Sequence, residues 1–199
     1  MKVLIDNGHG DPPITGGKHS PDLRLKEYHY CREIAKRISR ELSLKGVDAI
    51  LLTPEQTDTP LKERVRKANA WCRKLGAKNV VLVSIHNNAA GADGKWHTAS
   101  GFSVFVSKNA SANSKQLATI FTDNATELGL MGNRCIPAER YWMQSLAMTR
   151  DTKCPAVLTE NLFQDNEDDV AYLLSEEGKR AITKLHVDSI LKYINTVNA

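Results

Sequence analysis

The sequence predicts a single α/β domain in which a twisted, mostly parallel sheet of about six strands is flanked by helices on both faces. Short apolar runs alternate along the chain with longer segments of helical periodicity, an order that is typical of βαβ units. The clearest apolar runs, at 3–5, 80–85 and 155–159, are continuous, as expected of strands buried on both sides of a parallel sheet. The length of 199 residues suits one domain with its own core.

The first half of the chain alternates between strand and helix signals. A Gly/Pro-rich loop separates the first strand from a long helix, whose apolar side chains recur at helical spacing until Gly46 closes it. Pro60 is well placed at the start of the next helix, where its missing N–H is tolerated. The elements predicted in this half are, in order, strand 2–5, helix 23–45, strand 47–52, helix 61–75 and strand 80–85.

The second half gives weaker signals. The segment "GFSVFVS" alternates between apolar and polar residues, which predicts a strand with one wetter face at an edge of the sheet. Residues 130–148 follow no clear pattern, and we expect Tyr141, Trp142 and Met143 to lie on a loop before a short strand. The remaining predicted elements are strand 102–106, helix 111–129, strand 155–159 and two short helices within 167–196.

The composition argues against several classes of function. The net charge is only +4, and the basic residues are spread along helical stretches, often beside glutamates, so we expect no nucleic-acid partner. No apolar stretch approaches the roughly 20 residues that a membrane-spanning helix needs. The chain enters a predicted strand almost at once, and we therefore expect it to carry no secretory signal.

Three polar side chains follow strands of the predicted sheet at the point where each strand ends. His9 comes after the first strand, His86 after the third and Glu160 after the last. If those strands are parallel, their carboxyl ends meet at one edge, which is where α/β proteins bind ligands. Glu27 lies near the start of the first long helix, and helix starts in βαβ units reach that same edge. The topology therefore predicts that these four side chains converge.

Two imidazoles and one carboxylate, with one position left open, make a catalytic zinc site of the kind found in hydrolases. Zinc lowers the pKa of a bound water to about 7, and a nearby carboxylate can then move the proton of that water to a leaving amine. Taken singly, each histidine is more often a hydrogen-bonding loop residue, and Glu27 a solvated charge on a helix. Together, His9, Glu27 and His86 are candidate Zn²⁺ ligands. Glu160 is the candidate catalytic carboxylate.

Several segments and the closing helix carry a resemblance to a known family. The segments are "DNGHG" (6–10), "KEYHYCREIA" (26–35), "LKERVRKAN" (61–69), "SIHNNA" (84–89), "GF" (101–102) and "LAMTRDTKCPAVLTENLFQDN" (146–166). They occur in the order of the family and extend from Asp6 to about Asn195, nearly the whole chain. The chain thus resembles the zinc-dependent N-acetylmuramoyl-L-alanine amidases of the Amidase_3 type, which cleave the peptidoglycan of bacterial cell walls.

The resemblance implies a reaction and a set of site residues. His9, Glu27 and His86 match the zinc ligands of the family. Glu160 matches its catalytic glutamate. The implied reaction is hydrolysis of the amide that joins the lactyl group of N-acetylmuramic acid to L-alanine, the first residue of the stem peptide. The implied cofactor is Zn²⁺ and the implied partner is peptidoglycan, as in autolysins and endolysins.

The resemblance also implies that residues 1–199 form a single zinc amidase catalytic domain without a separate wall-binding domain. Residues 87–100 are too short, and lack the apolar periodicity, to hold the regulatory helix found in some cell-division amidases. We expect a monomer that acts on the bacterial cell wall. Because no secretory signal is predicted, the protein would reach the wall by cell lysis, by export or from a trimmed precursor.

Several other residues are candidates of second rank. Asp6 and Asn88 flank the predicted ligands, and both are candidates for orienting an imidazole, with capping or turn hydrogen bonds as the alternative. Asn88 is also a candidate for contacting substrate. Arg150 is a candidate for binding a carboxylate of the stem peptide, with a structural ion pair as the alternative. Arg64 is interpreted as a structural group that links a helix to the sheet.

The chain departs from the family pattern at two positions, and two other functions remain open. Asp11 and Leu162 stand where the family usually has glycine, which affects loop shape more than chemistry. One alternative is a zinc peptidase that acts within cell-wall peptides. The other is a non-catalytic wall-binding domain of the same fold, although retention of all four predicted site residues favours an enzyme.

Overall fold

A six-stranded sheet in the order β2-β1-β3-β6-β4-β5 carries the fold in this computed structural model, which describes residues 1–11 and 18–198. The strands are β1 (Lys2–Asn7), β2 (Asp48–Leu51), β3 (Val80–Asn88), β4 (Ser103–Val106), β5 (Trp142–Met143) and β6 (Ala156–Phe163). The α-helices are α1 (Glu27–Leu44), α2 (Leu61–Leu75), α3 (Ala112–Glu127), α4 (Ala147–Arg150), α5 (Glu167–Leu174) and α6 (Glu176–Asn198), and a short 3₁₀ helix (Ala77–Asn79) precedes β3.

Most of the sheet is parallel. Strands β2, β1, β3 and β6 run in the same direction, whereas β4 is antiparallel to β6 and parallel to β5. Helix α1 joins β1 to β2, and α2 joins β2 to β3, as parallel pairing requires. The predicted α/β domain with a mostly parallel sheet is confirmed, and the carboxyl ends of β1, β3 and β6 lie at one edge.

Helices cover both faces of the sheet. On one face, Val3 and Ile5 of β1 belong to a large apolar cluster that includes side chains of α1, α3 and α6. On the other face, Leu4 packs in a smaller cluster with Leu82 of β3 and Ala68 of α2. All of these side chains are fully buried. Burial on both faces explains why the first strand shows no alternation of polar and apolar residues.

The helices and the edge strand differ from prediction in their boundaries. Helix α1 begins at Glu27, later than predicted, since the positive φ of 65° at Leu23 is incompatible with a helix. The region 167–196 holds the eight-residue α5 and the 23-residue α6 rather than two short helices. Trp142 and Met143, expected on a loop, form the edge strand β5.

Among the described residues, no helix is long and apolar enough to cross a membrane.

Strands β3 and β6 extend further than predicted. Their apolar runs end at Ile85 and Thr159, but the backbone pairing continues through His86 and Glu160, which are register partners. The change from apolar to polar side chains therefore precedes the end of the strand. His86 and Glu160 lie within paired strands and not on the loops that follow them.

Candidate metal centre

His9 lies in the tight loop after β1, where its backbone adopts a left-handed φ of 57°. The glycines on either side permit two close approaches. A Cβ on Gly8 would lie 2.5 Å from the ring of His86, and a Cβ on Gly10 would lie 2.1 Å from the Cα of Asp58. The "GHG" sequence therefore lets the backbone that carries His9 pack closely against β3 and the segment before α2.

The buried guanidinium of Arg64, on α2, fixes the same loop. It donates to the carbonyl oxygens of Asn7 at 2.6 Å and His9 at 3.0 Å, and to the carboxylate of Asp6 at 2.8 Å. Asp6 was a candidate for orienting an imidazole, but its carboxylate accepts hydrogen bonds from Arg64 and from the Ser84 hydroxyl. Among the described contacts, Asp6 is linked to the His9 loop through Arg64, and its role in orienting an imidazole stays a prediction. No local sequence pattern signals these contacts, because they join residues that are far apart in the chain.

Glu27, the first residue of α1, is almost completely buried, at 1% exposure. Its Oε1 accepts a hydrogen bond from the N–H of Asn87 at 3.0 Å, while Oε2 has no hydrogen-bond partner among the described residues. Burial favours the neutral carboxyl group, but hydrogen bonds from His86 and His9 outweigh it, and the pKa of Glu27 is lowered well below its ordinary value. Glu27 is thus a buried, charged carboxylate, which a bound cation would stabilise.

The potential ligand atoms of His9, Glu27 and His86 form a triangle. Nδ1 of His86 lies 3.1 Å from Oε1 of Glu27 and 3.2 Å from Nε2 of His9. The third side, between Nε2 of His9 and Oε1 of Glu27, is 3.3 Å. Tetrahedral zinc with ligands at about 2.0–2.1 Å needs neighbouring ligand atoms about 3.3 Å apart. The three side chains therefore form a group that can hold a divalent metal ion.

Glu160 lies on β6 beside this group, in register with His86. Its Oε2 is buried and has no hydrogen-bond partner among the described residues. Burial, and then the negative charge of Glu27, raise the pKa of Glu160 well above its ordinary value, although Lys18 opposes the shift. A carboxyl group with a raised pKa, next to side chains that can hold a cation, is suited to proton transfer.

A bulge in β6 follows Glu160. The register with β3 shifts between His86 and Asn88, and Leu162 has a positive φ of 60°. This left-handed conformation explains why the family has glycine at the position of Leu162. Asn161, at the same bulge, donates from its side chain to the carbonyl of His86 at 2.9 Å. No local sequence pattern points to Asn161, since its contact depends on the bulge.

The two candidate substrate-binding residues have different surroundings. Asn88 is the last residue of β3, close to the candidate metal group, and its Oδ1 accepts a hydrogen bond from the N–H of Ala89. Arg150 lies on α4 and forms an ion pair with Asp151, which is the structural alternative. In the part of the chain that the structure describes, no hydrogen bond of Arg150 reaches a candidate ligand. Binding of a stem-peptide carboxylate by Arg150 stays a prediction.

Comparisons with known proteins identify a family, related sequences and a similar fold. A profile of the family described as N-acetylmuramoyl-L-alanine amidase (Amidase_3) matches residues 3–192. The endolysin of Bacillus phage SPP1 is 27% identical, and the probable cell wall amidase LytH of Staphylococcus aureus is 24% identical, each over 97% of this chain. The chain spans 66% and 58% of the lengths of these relatives. The catalytic domain of CwlV, an N-acetylmuramoyl-L-alanine amidase from Bacillus (Paenibacillus) polymyxa var. colistinus, has a similar fold, with a TM-score of 0.79 at 24% identity over 98% of this chain and 99% of that chain.

Proposed function

The chain belongs to the N-acetylmuramoyl-L-alanine amidase family, Amidase_3, and from that premise we propose that it hydrolyses the amide between the lactyl group of N-acetylmuramic acid and the L-alanine of the stem peptide. The observation that carries this proposal is the triangle of ligand atoms from His9, Glu27 and His86 beside the carboxyl group of Glu160. Two nitrogens and one oxygen around a cation, with a second carboxyl group nearby, are the groups that metal-assisted amide hydrolysis uses.

We assign His9, Glu27 and His86 as ligands of Zn²⁺. When bound, zinc supplies a Lewis acid that acidifies water and polarises the carbonyl group of the amide. The chain holds the three ligands in place. The N–H of Asn87 supports the carboxylate of Glu27, and Arg64 holds the backbone carbonyl of His9.

We assign Glu160 as the general base and general acid. Its carboxylate accepts a proton from the attacking water as the new C–O bond forms, and it returns that proton to the amine of L-alanine as the C–N bond breaks. The products are a lactyl carboxylate and an intact stem peptide with a free amine on L-alanine.

We further propose that this α/β unit is a zinc amidase catalytic domain and that it acts on bacterial cell-wall peptidoglycan. The printed names of two relatives, an endolysin and a probable cell wall amidase, support that place of action. The monomeric state of the protein stays a prediction.

Replacing Glu160 with Gln tests the proposed mechanism. We expect the rate of hydrolysis of purified wall fragments to fall by roughly 10²–10⁴-fold, because proton transfer is lost. The zinc content, measured by elemental analysis, should stay the same. Glu167→Gln removes an exposed carboxylate from the first turn of α5 and serves as the matched control with an unchanged rate.

The products separate the amidase from the two alternatives. Mass spectrometry should find intact stem peptides that begin with L-alanine. Peptides cut internally would indicate a zinc peptidase, and binding to cell walls without any product would indicate a non-catalytic domain. An unchanged rate for Glu160→Gln would contradict the role of Glu160.

A further inference from the structure

We propose that Cys72 and Cys154 form a reversible disulfide site, which small disulfide compounds oxidise and thiols reduce, and that the bond cross-links α2 to the segment that enters β6. This inference is independent of the proposed amidase activity. Both thiols are free in the structure. Cys72 lies in the last turn of α2, and Cys154 comes just before the amino end of β6. The pair therefore lies at the edge of the sheet opposite to the candidate metal centre.

Hydrogen bonds of Asn69 hold the two cysteines next to each other. Asn69 and Cys72 are three positions apart on α2, so they share one face of the helix, with Cβ atoms about 5–6 Å apart. The side chain of Asn69 donates to the carbonyl of Asp151 at 3.0 Å and accepts from the N–H of Lys153 at 2.8 Å. These two bonds fix the chain against that face of α2. Cys154, the next residue, thus lies beside Cys72.

The two thiols also share one apolar environment. Cys72 and Cys154 both belong to the smaller core cluster, and each is 6% exposed, which restricts access to small reagents. The other two cysteines lie elsewhere. The thiol of Cys31 is fully buried, 3.7 Å from Oδ1 of Asn87, whereas Cys135 is exposed. Cys72 and Cys154 are therefore the pair that the packing brings together.

The electrostatics of the pair make Cys72 the thiol that reacts first. The thiol of Cys154 donates a hydrogen bond to the sulfur of Cys72. This bond, supported by the N–H groups of Cys154 and Lys153, lowers the pKa of Cys72 to about 7, although burial opposes the shift. The same hydrogen bond, and then burial, raise the pKa of Cys154 well above its ordinary value. A large share of Cys72 is thus thiolate near pH 7, and the thiolate is the form that attacks disulfides.

Oxidation of the pair proceeds by two thiol–disulfide exchanges. First, the thiolate of Cys72 attacks one sulfur of a small linear disulfide, forms a mixed disulfide and releases the other half as a thiolate. Next, the thiol of Cys154 loses its proton and attacks Sγ of Cys72, which forms the protein disulfide and releases the second half. The two protons of the cysteines pass to the two released thiolates. The cysteines lose two electrons, and the small disulfide gains them.

The cross-link would join two elements that support the candidate site from a distance. Helix α2 carries Arg64, whose guanidinium donates to the carbonyl of His9, and β6 carries Glu160. A bond between residues 72 and 154 closes a long loop and so lowers the entropy of the unfolded chain. We therefore expect oxidation to raise the resistance of the protein to unfolding.

The test treats the full chain with bis(2-hydroxyethyl) disulfide and compares it with the same protein kept in dithiothreitol. It uses the Cys135→Ser protein, which lacks the exposed thiol and so avoids links between molecules. Titration of the unfolded protein should find three thiols before oxidation and one afterwards. Digestion with trypsin, without reduction, should give fragments 68–73 and 154–179 as one linked species in mass spectrometry. The urea midpoint should rise by on the order of 1 M and return in dithiothreitol.

Cys72→Ala and Cys154→Ala, each added to Cys135→Ser, are the matched controls. Each removes one partner, and we expect oxidation to cause no upward shift of the urea midpoint. Because the oxidised and reduced forms of one protein are compared, a loss of stability from the substitution itself does not alter the result. The proposal would be overturned by three thiols that remain after oxidation, by a link to Cys31, or by an unchanged midpoint in the oxidised Cys135→Ser protein.

Discussion

Glu27 shows how strongly a single side chain defines the candidate metal centre. One of its carboxylate oxygens is held by the N–H of Asn87, and the other has no partner among the described residues. A buried carboxylate is costly unless a cation or several donors stabilise it. The two imidazoles lower its pKa and so favour the charged form. We therefore expect Glu27 to contribute strongly to metal affinity.

Glu27→Gln should lower the affinity for Zn²⁺ by roughly 10²-fold or more, since loss of a supporting partner alone costs about 10–100-fold and Glu27 is itself a candidate ligand. Competition with a chromophoric chelator measures this affinity. Glu33→Gln is the matched control on the same helix, where Glu33 pairs with Arg37 instead. A similar loss of affinity in both variants would argue against a direct role of Glu27.

Some of the site was predictable from sequence and some was not. His9, Glu27 and His86 stand near strand ends or a helix start, so the topology alone brings them to one edge. The contacts of Arg64 with the His9 loop depend on how α2 packs against the sheet. The hydrogen bond from the side chain of Asn161 to the carbonyl of His86 depends on the bulge in β6. No local pattern in the sequence encodes packing or register shifts of this kind.

At the scale of elements, residues 8–10 after β1 have little space around them. Gly10 has the backbone of Asp58 against it, and a methyl group there would require one of the two segments to move.

Strands β3 and β6 are longer than their apolar runs predict. The apolar runs of β3 and β6 end before their backbone pairing does, and the paired backbone carries His86 and Glu160.

Gly10→Ala should weaken zinc binding and destabilise the fold together. The added Cβ would lie 2.1 Å from the Cα of Asp58, and the resulting shift moves His9. We expect a loss of about 1–3 kcal/mol in the free energy of unfolding, measured with urea. Gly129→Ala, where φ is 68° and no atom lies within 4 Å of the new Cβ, should cost about 1–2 kcal/mol from backbone strain alone. Unaltered zinc affinity in Gly10→Ala would contradict the coupling of this loop to the metal centre.

At the scale of the whole molecule, His186 connects α6 to the sheet. Its imidazole is fully buried, with Nδ1 2.8 Å from the carbonyl of Ile182 and Nε2 2.9 Å from the hydroxyl of Thr159. Burial lowers the pKa of His186 to about 4, because the charged form would be desolvated. Packing between two distant parts of the chain thus depends on a neutral histidine.

Stability should therefore fall in acid. The unfolded chain binds a proton at His186 below a pH of about 6.5, whereas the folded chain does so only near pH 4. The contribution of His186 is complete above about pH 6.5 and is lost as the pH falls towards 4, by about 3 kcal/mol in total. Urea unfolding at several pH values, compared between the wild type and His186→Gln, isolates this effect. Parallel pH profiles for the two proteins would contradict the prediction.

The triangle of His9, Glu27 and His86 has a mechanical consequence. His9 and His86 lie 77 positions apart in the chain, and Glu27 comes from a helix between them. An ion shared by the three side chains would act as a removable cross-link between residues 9 and 86, closing a large ring of polypeptide. Loading and stripping of that ion would tighten and loosen the amino-terminal half of the protein.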